Sequence, residues 1–365
     1  MDAFNYSRLD LARKRRGLTK GALAEAAGIS PRNLSPYKKG EYEPDPSTVD
    51  RLARAVGFPR EFFYGSDLEE PEPSGASFRS LSRLSARQRD QALSSGALAW
   101  ALADWIDCKF GLPAPDVPQF QGVDPETAAE AVREAWRLGQ RRIPNMVHLL
   151  EAHGVRVFSL SEETASVDAF SLWRGHVPYV FLNTKKTAEH SRMDAAHELG
   201  HLVLHGHGGP GGREAEREAF AFGAALLMPA ASVLASGLRR ARMDQLVLAK
   251  YRWDVSVANL TYRLQRLGLL TEWQARSVFI QLNRRGRTEE PVAPGREHLR
   301  QERSQVLEKV FRALRDERIT RAQIAHELHI PLSDISDSVF GLVLTSLDGG
   351  AGEARPPAKP ALHVV

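Results

Sequence analysis

The sequence contains very little cysteine, since Cys108 is the only one among its 365 residues. A disulfide framework within the chain and a cysteine-based zinc cluster are both excluded, and we expect a reducing compartment. The sequence also lacks an apolar secretory segment at its N-terminus and any hydrophobic run approaching about 18 residues. These absences predict a cytoplasmic protein with no membrane partner.

The composition that remains is that of a globular protein, with 42% hydrophobic and 26% charged residues. The length suggests two or three domains. The formal net charge is only +4, and the excess is arginine-rich and uneven, as in the ARKRR stretch at 12–16. Such a distribution permits a nucleic-acid partner without requiring one.

One short motif carries recognisable chemistry, the His-Glu-Leu-Gly-His stretch at 197–201. Histidines four residues apart lie on one helix face, one turn apart, and neutral imidazoles are good zinc ligands. Glu198 can accept a proton from a water bound to the metal, as in metallopeptidases. The alternative is a buried helix whose histidines are satisfied by other partners. Leu199 and Leu202 predict that this helix is buried. Polar residues on a buried helix need partners, and a metal ion would provide one.

A third ligand is required, and the following helix offers Glu214, Glu216 and Glu218. Glu216 lies three residues before Ala219, on the predicted inward face. Glu218 is rotated by about 200° from Glu216 and is expected to face away. We therefore predict His197, His201 and Glu216 as the metal ligands and Glu198 as the catalytic base. His205 lies one turn, about 6 Å, beyond His201, too far to share the ion, so we expect it to orient a ligand or to bind substrate.

A second motif is the two-helix pattern from Leu18 to Gly40. Thr19 and Ser30 are suited to cap the two helices, and Gly28 suits a left-handed turn residue between them. The pattern resembles the lambda-repressor-like (Xre or Cro type) helix-turn-helix domain. The resemblance implies five helices and a recognition helix, Ser30–Lys38, in the DNA major groove.

Pro36 departs from that pattern because proline inside a helix removes one backbone hydrogen bond. We therefore expect early residues of the recognition helix to read bases and lysines to contact phosphate. A helical protein–protein module is the alternative interpretation. The predicted DNA contacts are Lys20, Arg32, Asn33, Lys38 and Lys39.

The longer context of the first motif resembles a known family. MDAAHELGHLVLH (193–205) and EREAFAFGAALLMP (216–229) closely resemble the ImmA/IrrE metallopeptidases. The resemblance implies a zinc endopeptidase that cleaves a repressor or antitoxin protein, and so controls stress or mobile-element genes. In that family an N-terminal Xre-type domain is a common fusion partner, so the resemblance also fits the second motif. Manganese or iron remains open as the metal, because either suits a His/His/Glu site.

A third region, Arg318–Gly341, has a similar pattern of two short helices, with Thr320 as a cap and Ile324 and Ile335 facing inward. It resembles a second helix-turn-helix. Asp334 and Asp337 would repel phosphate. We therefore favour a protein-interaction or dimerisation module over a second DNA-binding domain, with a homodimer left open. His326-Glu327-Leu328-His329 is predicted not to bind metal, because its histidines are three apart and lack a partner carboxylate helix.

Together these patterns predict a mainly α protein with a small β-sheet from strands at 155–160 and 177–183, in an α+β, gluzincin-like peptidase domain. An alternative function is a DNA-binding regulator whose peptidase-like domain senses a metal or ligand without turnover, and an antitoxin-like binding module is a third reading. The intact Glu198 favours the enzyme. The predicted boundaries are an all-α helix-turn-helix domain at 1–66, a linker at 67–78, the metallopeptidase with a helical extension at 79–282, a linker at 283–302, a helix-turn-helix-like module at 303–347 and a disordered tail at 348–365.

Overall fold

A computed structural model describes residues 3–72, 85–160, 168–206, 212–285 and 290–343 of the chain. The end of the first predicted linker, 73–78, and the predicted tail, 348–365, lie outside the described residues. Contacts divide the described chain into two compact units. The first unit takes its residues from 1–113, 158–168 and 305–365, and the second from 114–157 and 169–304.

The described chain is mainly helical with one small sheet, as the sequence predicts. Its strands are β1 (Arg156–Ser159), β2 (Ala169–Arg174) and β3 (Val177–Leu182). Its helices are α1 (Tyr6–Arg15), α2 (Lys20–Ala26), α3 (Leu34–Lys39), α4 (Pro46–Val56), α5 (Ala86–Lys109), α6 (Pro125–Ala135), α7 (Met146–Ala152), α8 (Ala188–Leu204), α9 (Arg213–Leu227), α10 (Ala230–Leu234), α11 (Met243–Ala249), α12 (Val257–Arg266), α13 (Glu272–Arg285), α14 (Gln305–Asp316), α15 (Arg321–Leu328) and α16 (Leu332–Val339).

Helices α2 and α3 lie within the predicted two-helix stretch, Leu18–Gly40, but the predicted recognition helix Ser30–Lys38 divides into a 3₁₀ turn (Pro31–Asn33) and α3. The Thr19 hydroxyl caps α2 by accepting from the Ala22 backbone N–H, and Ser30 accepts from Arg32 N–H. Gly28 adopts the predicted left-handed conformation, with φ of +62°. The inner face of these helices is buried, at Leu23, Ala24, Ala27 and Leu34.

The C-terminal helices α14 to α16 group with the N-terminal helices in the first unit. Asp334, at the start of α16, is 2% exposed and pairs with two arginines of the helix-turn-helix region. Its Oδ1 lies 2.7 Å from Arg15 Nε, and its Oδ2 lies 2.8 Å from Arg16 Nη2. The acidic residues that argued against phosphate binding therefore neutralise basic residues of the same chain.

The contact grouping divides the chain differently from the predicted boundaries. Helix α5 groups with the N-terminal helices, whereas the boundary at 79 assigned it to the peptidase domain. The segment 290–304, which contains residues 290–302 of the second predicted linker, packs within the second unit. There the Glu302 carboxylate accepts from the backbone N–H groups of Met146 (2.7 Å) and Val147 (3.1 Å), capping α7, and it also pairs with Arg192.

The three strands form one sheet with the order β1–β3–β2, and β2 and β3 belong to the second unit. Strand β2 runs antiparallel to β3, with Ala169 opposite Leu182 and Arg174 opposite Val177. The strands at 155–160 and 177–183 were predicted, but β2 was not assigned from the sequence pattern. Helix α8 packs on β2 and β3, and α9 packs on α8. The sheet thus supports one side of α8 and leaves another to α9.

Candidate metal centre

Two glycines set the close packing of α8 on α9. A Cβ atom on Gly200 of α8 would lie 2.8 Å from the backbone oxygen of Ala219 in α9. A Cβ on Gly223 of α9 would lie 3.0 Å from the backbone nitrogen of His197 in α8. A Cβ atom at Gly200 would require the backbone to shift, and one at Gly223 would be tighter than most real contacts, so glycine at both positions lets the helix backbones approach. This approach brings a carboxylate of α9 to the histidines of α8.

The three predicted ligands converge on one point. His197 Nε2 and His201 Nε2 lie 3.1 Å apart. Glu216 Oε2 lies 3.5 Å from His197 Nε2, and its Oε1 lies 3.4 Å from His201 Nε2. Within the ranges that the structure describes, these residues form a group of His and Glu side chains close enough to share a metal ion. The rotation argument that chose Glu216 over Glu218 therefore selected the carboxylate that reaches both histidines.

The donor set fits zinc in both chemistry and spacing. Zinc binds imidazole nitrogen and carboxylate oxygen at about 2.0–2.2 Å with tetrahedral geometry, so neighbouring donors should lie about 3.3 Å apart. The three observed separations fall between 3.1 and 3.5 Å. Two imidazoles and one carboxylate leave a fourth position of a tetrahedron, which is the composition of catalytic zinc sites.

The electrostatics of the cluster favour a cation. Burial would raise the pKa of Glu216, but the hydrogen bonds and charges of His197 and His201 hold the pKa of that carboxyl well below its usual range. Burial would lower the pKa of His197, yet the Glu216 hydrogen bond and the charges of Glu198, Glu216 and Asp194 raise it. Both shifts show that the carboxylates stabilise positive charge at this point, which a metal ion would supply.

Glu198 lies beside the cluster and is held by the sheet. It is 3% exposed, and the hydroxyl of Ser171 in β2 donates to its Oε2 over 2.7 Å. The same hydroxyl lies 3.2 Å from the backbone oxygen of Glu198. Ser171 was not predicted as a site residue. Its signal in the sequence is that it is the polar residue of the apolar run AFSLW at 169–173, because a buried hydroxyl needs a partner.

His205 and Glu218 form a second group next to the cluster. His205 ends α8, and its Nδ1 lies 3.0 Å from Nδ1 of His201. Its Nε2 lies 3.0 Å from Oε2 of Glu218. Glu218 does stay outside the group of three donors, as predicted, but its side chain reaches His205 instead of facing away from the site. Sequence reasoning assigned no role to Glu218.

The second His-Glu-Leu stretch, at 326–329, has no such arrangement. The rings of His326 and His329 lie 6.2 Å apart. Glu327 accepts a hydrogen bond from the indole of Trp105 over 2.7 Å. Among the described residues, this stretch does not belong to a group of side chains close enough to share a metal ion.

The predicted DNA contacts lie on the surface of the first unit. Pro36 occupies the first turn of α3, because Pro31–Asn33 forms a separate 3₁₀ turn. A proline there removes an N–H that has no partner within the helix, so it neither kinks nor ends α3. In contrast to the paired Arg15 and Arg16, the side chains of the predicted contacts are exposed, at Lys20, Arg32, Asn33, Lys38 and Lys39.

Two family models match the chain. Residues 150–265 match the IrrE N-terminal-like domain of the M78 peptidases, and residues 7–61 match a helix-turn-helix domain. The chain therefore carries the fusion that its motifs predict, and the two domains support a DNA-binding regulator with a peptidase-like domain. No curated protein matches the chain. Among the described residues, none of the helices has the length and apolar character needed to span a membrane.

Proposed function

We propose that this protein is a cytoplasmic zinc endopeptidase tethered to DNA by its N-terminal domain. Its substrate would be a cognate repressor or antitoxin protein, whose cleavage releases stress or mobile-element genes. The observation that carries the proposal is the convergence of the donor atoms of His197, His201 and Glu216 within 4.8 Å of one another, near enough to Glu198 for its charge to raise the pKa of His197. An IrrE N-terminal-like domain around these residues supports it.

Each residue of the site has a proposed role. His197, His201 and Glu216 hold the metal, which we propose is zinc, with manganese or iron as the other candidates. When bound, the metal supplies Lewis acidity toward the scissile carbonyl and the attacking water. Glu198 accepts the proton of that water at a carboxylate oxygen and returns it to the leaving amine. The Ser171 hydroxyl, 2.7 Å from Oε2 of Glu198, orients that carboxylate.

The substitution Glu198→Gln tests the enzymatic role. It keeps the size of the side chain but removes the base, and positioned general bases contribute about a hundred- to ten-thousand-fold to rate. New protein N-termini should be compared by mass spectrometry in cells that express the native protein, the Glu198→Gln variant or the Glu214→Gln control. We expect a transcriptional regulator to be cleaved with the native protein and the control, and to remain full length with Glu198→Gln.

If cleavage is lost in Glu198→Gln, the zinc content of the purified variant shows whether the base or the metal has been lost. Glu198→Gln should retain zinc, because Glu198 is not among the three converging donors. If the zinc-loaded Glu198→Gln protein regulates its genes normally and no cleavage differs, the peptidase role is wrong. A non-catalytic metal sensor would then explain the intact cluster.

We further propose that the helix-turn-helix region, residues 1–66, binds duplex DNA. The exposed basic side chains around α2 and α3 support this role, because lysine and arginine contacts with phosphate release counterions. Full-length protein can select its operator from a random duplex library, and affinity for that operator should fall steeply with added salt. An absence of selected sequences and of binding at low salt would leave the protein-interaction reading of this domain.

Two variants distinguish base reading from phosphate contact. Arg32→Ala should cost about 1–3 kcal/mol and relax specificity at one base pair, whereas Lys20→Ala should weaken binding to all sequences and reduce the salt slope by about one. Arg312→Ala is a control, since Arg312 is an exposed residue of α14 paired with Glu308. Equal effects of all three would contradict a specific interface at α2 and α3.

A further inference from the structure

Glu218 ends a path of polar contacts that leads into the metal cluster. From Glu218 Oε2 the path runs 3.0 Å to His205 Nε2, and from His205 Nδ1 another 3.0 Å to His201 Nδ1. We infer that Glu218 is a positioning residue that sets the tautomer of His205 and, through it, that of His201. The role rests on the metal site proposed above, and its effect is to present an unprotonated Nε2 of His201 to the metal.

The tautomers follow from what each group can donate. An ionised carboxylate only accepts hydrogen bonds, so a neutral His205 facing Glu218 carries its proton on Nε2. The Nδ1 atom of His205 is then an acceptor, and the atom facing it, Nδ1 of His201, must be the donor. A neutral His201 protonated on Nδ1 has its lone pair on Nε2, the atom that lies 3.1 Å from His197 Nε2.

The end of α8 places the ring of His205 between His201 and Glu218. His205 is the residue that closes α8, and its backbone N–H still donates to the His201 carbonyl over 3.0 Å. Its side chain is 10% exposed, so water competes little for its ring nitrogens. Glu218 follows Glu216 by two residues on α9, and the two carboxylates therefore reach different histidines of α8. One carboxylate joins the donor cluster, and the other fixes the ring behind it.

Replacing Glu218 with glutamine removes the preference for one tautomer of His205. An amide presents both an acceptor and a donor, so His205 can adopt either tautomer. In the opposite tautomer, His205 donates from Nδ1 to His201, and His201 then carries its proton on Nε2, where the metal should bind. Groups that orient metal-bound histidines typically change metal affinity by about 10- to 100-fold when they are mutated. We expect a loss of zinc affinity within that range for Glu218→Gln.

The first measurement is zinc affinity by chelator competition, in the full-length protein. Glu214→Gln is the matched control, because Glu214 is an exposed residue of the same helix that pairs with Arg217. The control should bind zinc like the native protein. In a His205→Phe background the path is already cut, so Glu218→Gln should cause no further loss. A loss of the same size in both backgrounds would overturn the relay.

The second measurement reads the tautomers directly, by ¹⁵N NMR of histidine-labelled, metal-free protein at alkaline pH. In the native protein we expect His205 protonated on Nε2 and His201 on Nδ1, and in Glu218→Gln a mixture at both rings. Unchanged nitrogen shifts together with unchanged zinc affinity would refute the role of Glu218 while leaving the metal site intact. Failure of the native protein to bind zinc would overturn both proposals.

Discussion

Two helices of this protein contain the sequence His-Glu-Leu, and among the described residues only the first belongs to a cluster of metal-compatible donors. In α8 the histidines are four residues apart and the helix is buried, with Glu198 3% and His201 8% exposed. In α15 the histidines are three apart, and His326 and Glu327 are exposed. His329 ends α15 in a left-handed conformation, with φ of +53°, which turns it away from the helical repeat. Motif letters alone therefore do not define a site.

The partner of each helix accounts for the difference. Helix α8 packs on α9 at the contacts of Gly200 and Gly223, and α9 supplies Glu216 to both histidines. In α15 the single carboxylate, Glu327, is engaged by Trp105 and lies 3.8 Å from the ammonium of Lys109. The cluster at α8 therefore takes its carboxylate from a second helix, whereas the carboxylate of α15 has an aromatic and a basic partner.

The largest expected effect is the loss of the metal when that second element loses its carboxylate. Glu216→Ala removes one of three donors, whereas outer-shell changes cost about 10- to 100-fold in metal affinity. We therefore expect a loss well above 100-fold, and protein purified without added zinc should contain far less than one ion per chain. Elemental analysis of the purified protein checks this.

Glu214→Ala is the control for this change, because it removes a carboxylate of the same helix whose partner is Arg217. It should leave the zinc content at about one ion per chain. Stoichiometric zinc in Glu216→Ala together with a metal-free Glu218→Ala would contradict the ligand assignment and make Glu218 the third ligand.

Much of this site could be predicted from the sequence, because the regular repeat of a helix fixes which of its residues share a face. The spacing of His197 and His201 and the rotation between Glu216 and Glu218 are local properties of helices, so the three candidate donors could be chosen before the packing of α9 on α8 was known. The cap at Thr19 and the turn at Gly28 were predictable for the same reason. The contacts of Ser171 were not, because they depend on which face of an unassigned strand meets α8.

Other features depend on tertiary contacts that polar sequence patterns hide. The segment before α14 is polar and contains proline, which predicts a linker, yet its Glu302 caps α7 and pairs with Arg192. Similarly, Glu218 is rotated away from the donors by the helical repeat, but its long side chain reaches the ring that closes α8. A charged residue far along the chain can satisfy a helix end, and no local pattern reveals which end.

An intermediate effect is expected from loosening the contact between α8 and α9. In Gly200→Ala the new Cβ would lie 2.8 Å from a backbone oxygen, so the helices must separate. Overpacking of this kind costs about 1–3 kcal/mol, and the separation moves Glu216 away from the histidines. We expect a lower unfolding temperature of the metal-free protein and about tenfold weaker zinc binding, measured by calorimetry and by chelator competition.

Gly21→Ala is a matched control, since it adds the same methyl group to a helix where the nearest atom is the Thr19 hydroxyl at 3.8 Å. Alanine favours helices over glycine by about 1 kcal/mol, so this variant should be as stable as the native protein or slightly more stable, with unchanged zinc affinity. If Gly200→Ala behaved like Gly21→Ala, the close approach of the helices would not be needed for the site.

The smallest effect is expected at the other His-Glu-Leu helix. His326→Gln combined with His329→Asn removes both imidazoles of α15, and asparagine tolerates the left-handed conformation at the helix end. Surface substitutions usually change stability by less than about 0.5 kcal/mol, and neither ring belongs to the cluster of His197, His201 and Glu216. Zinc affinity and stoichiometry should therefore match those of the native protein in chelator competition and elemental analysis. A second zinc ion in the native protein that disappears in this double variant would show that α15 binds metal by other means, for example through a partner chain. Both helices would then bind zinc, and they would differ only in which element supplies the carboxylate ligand.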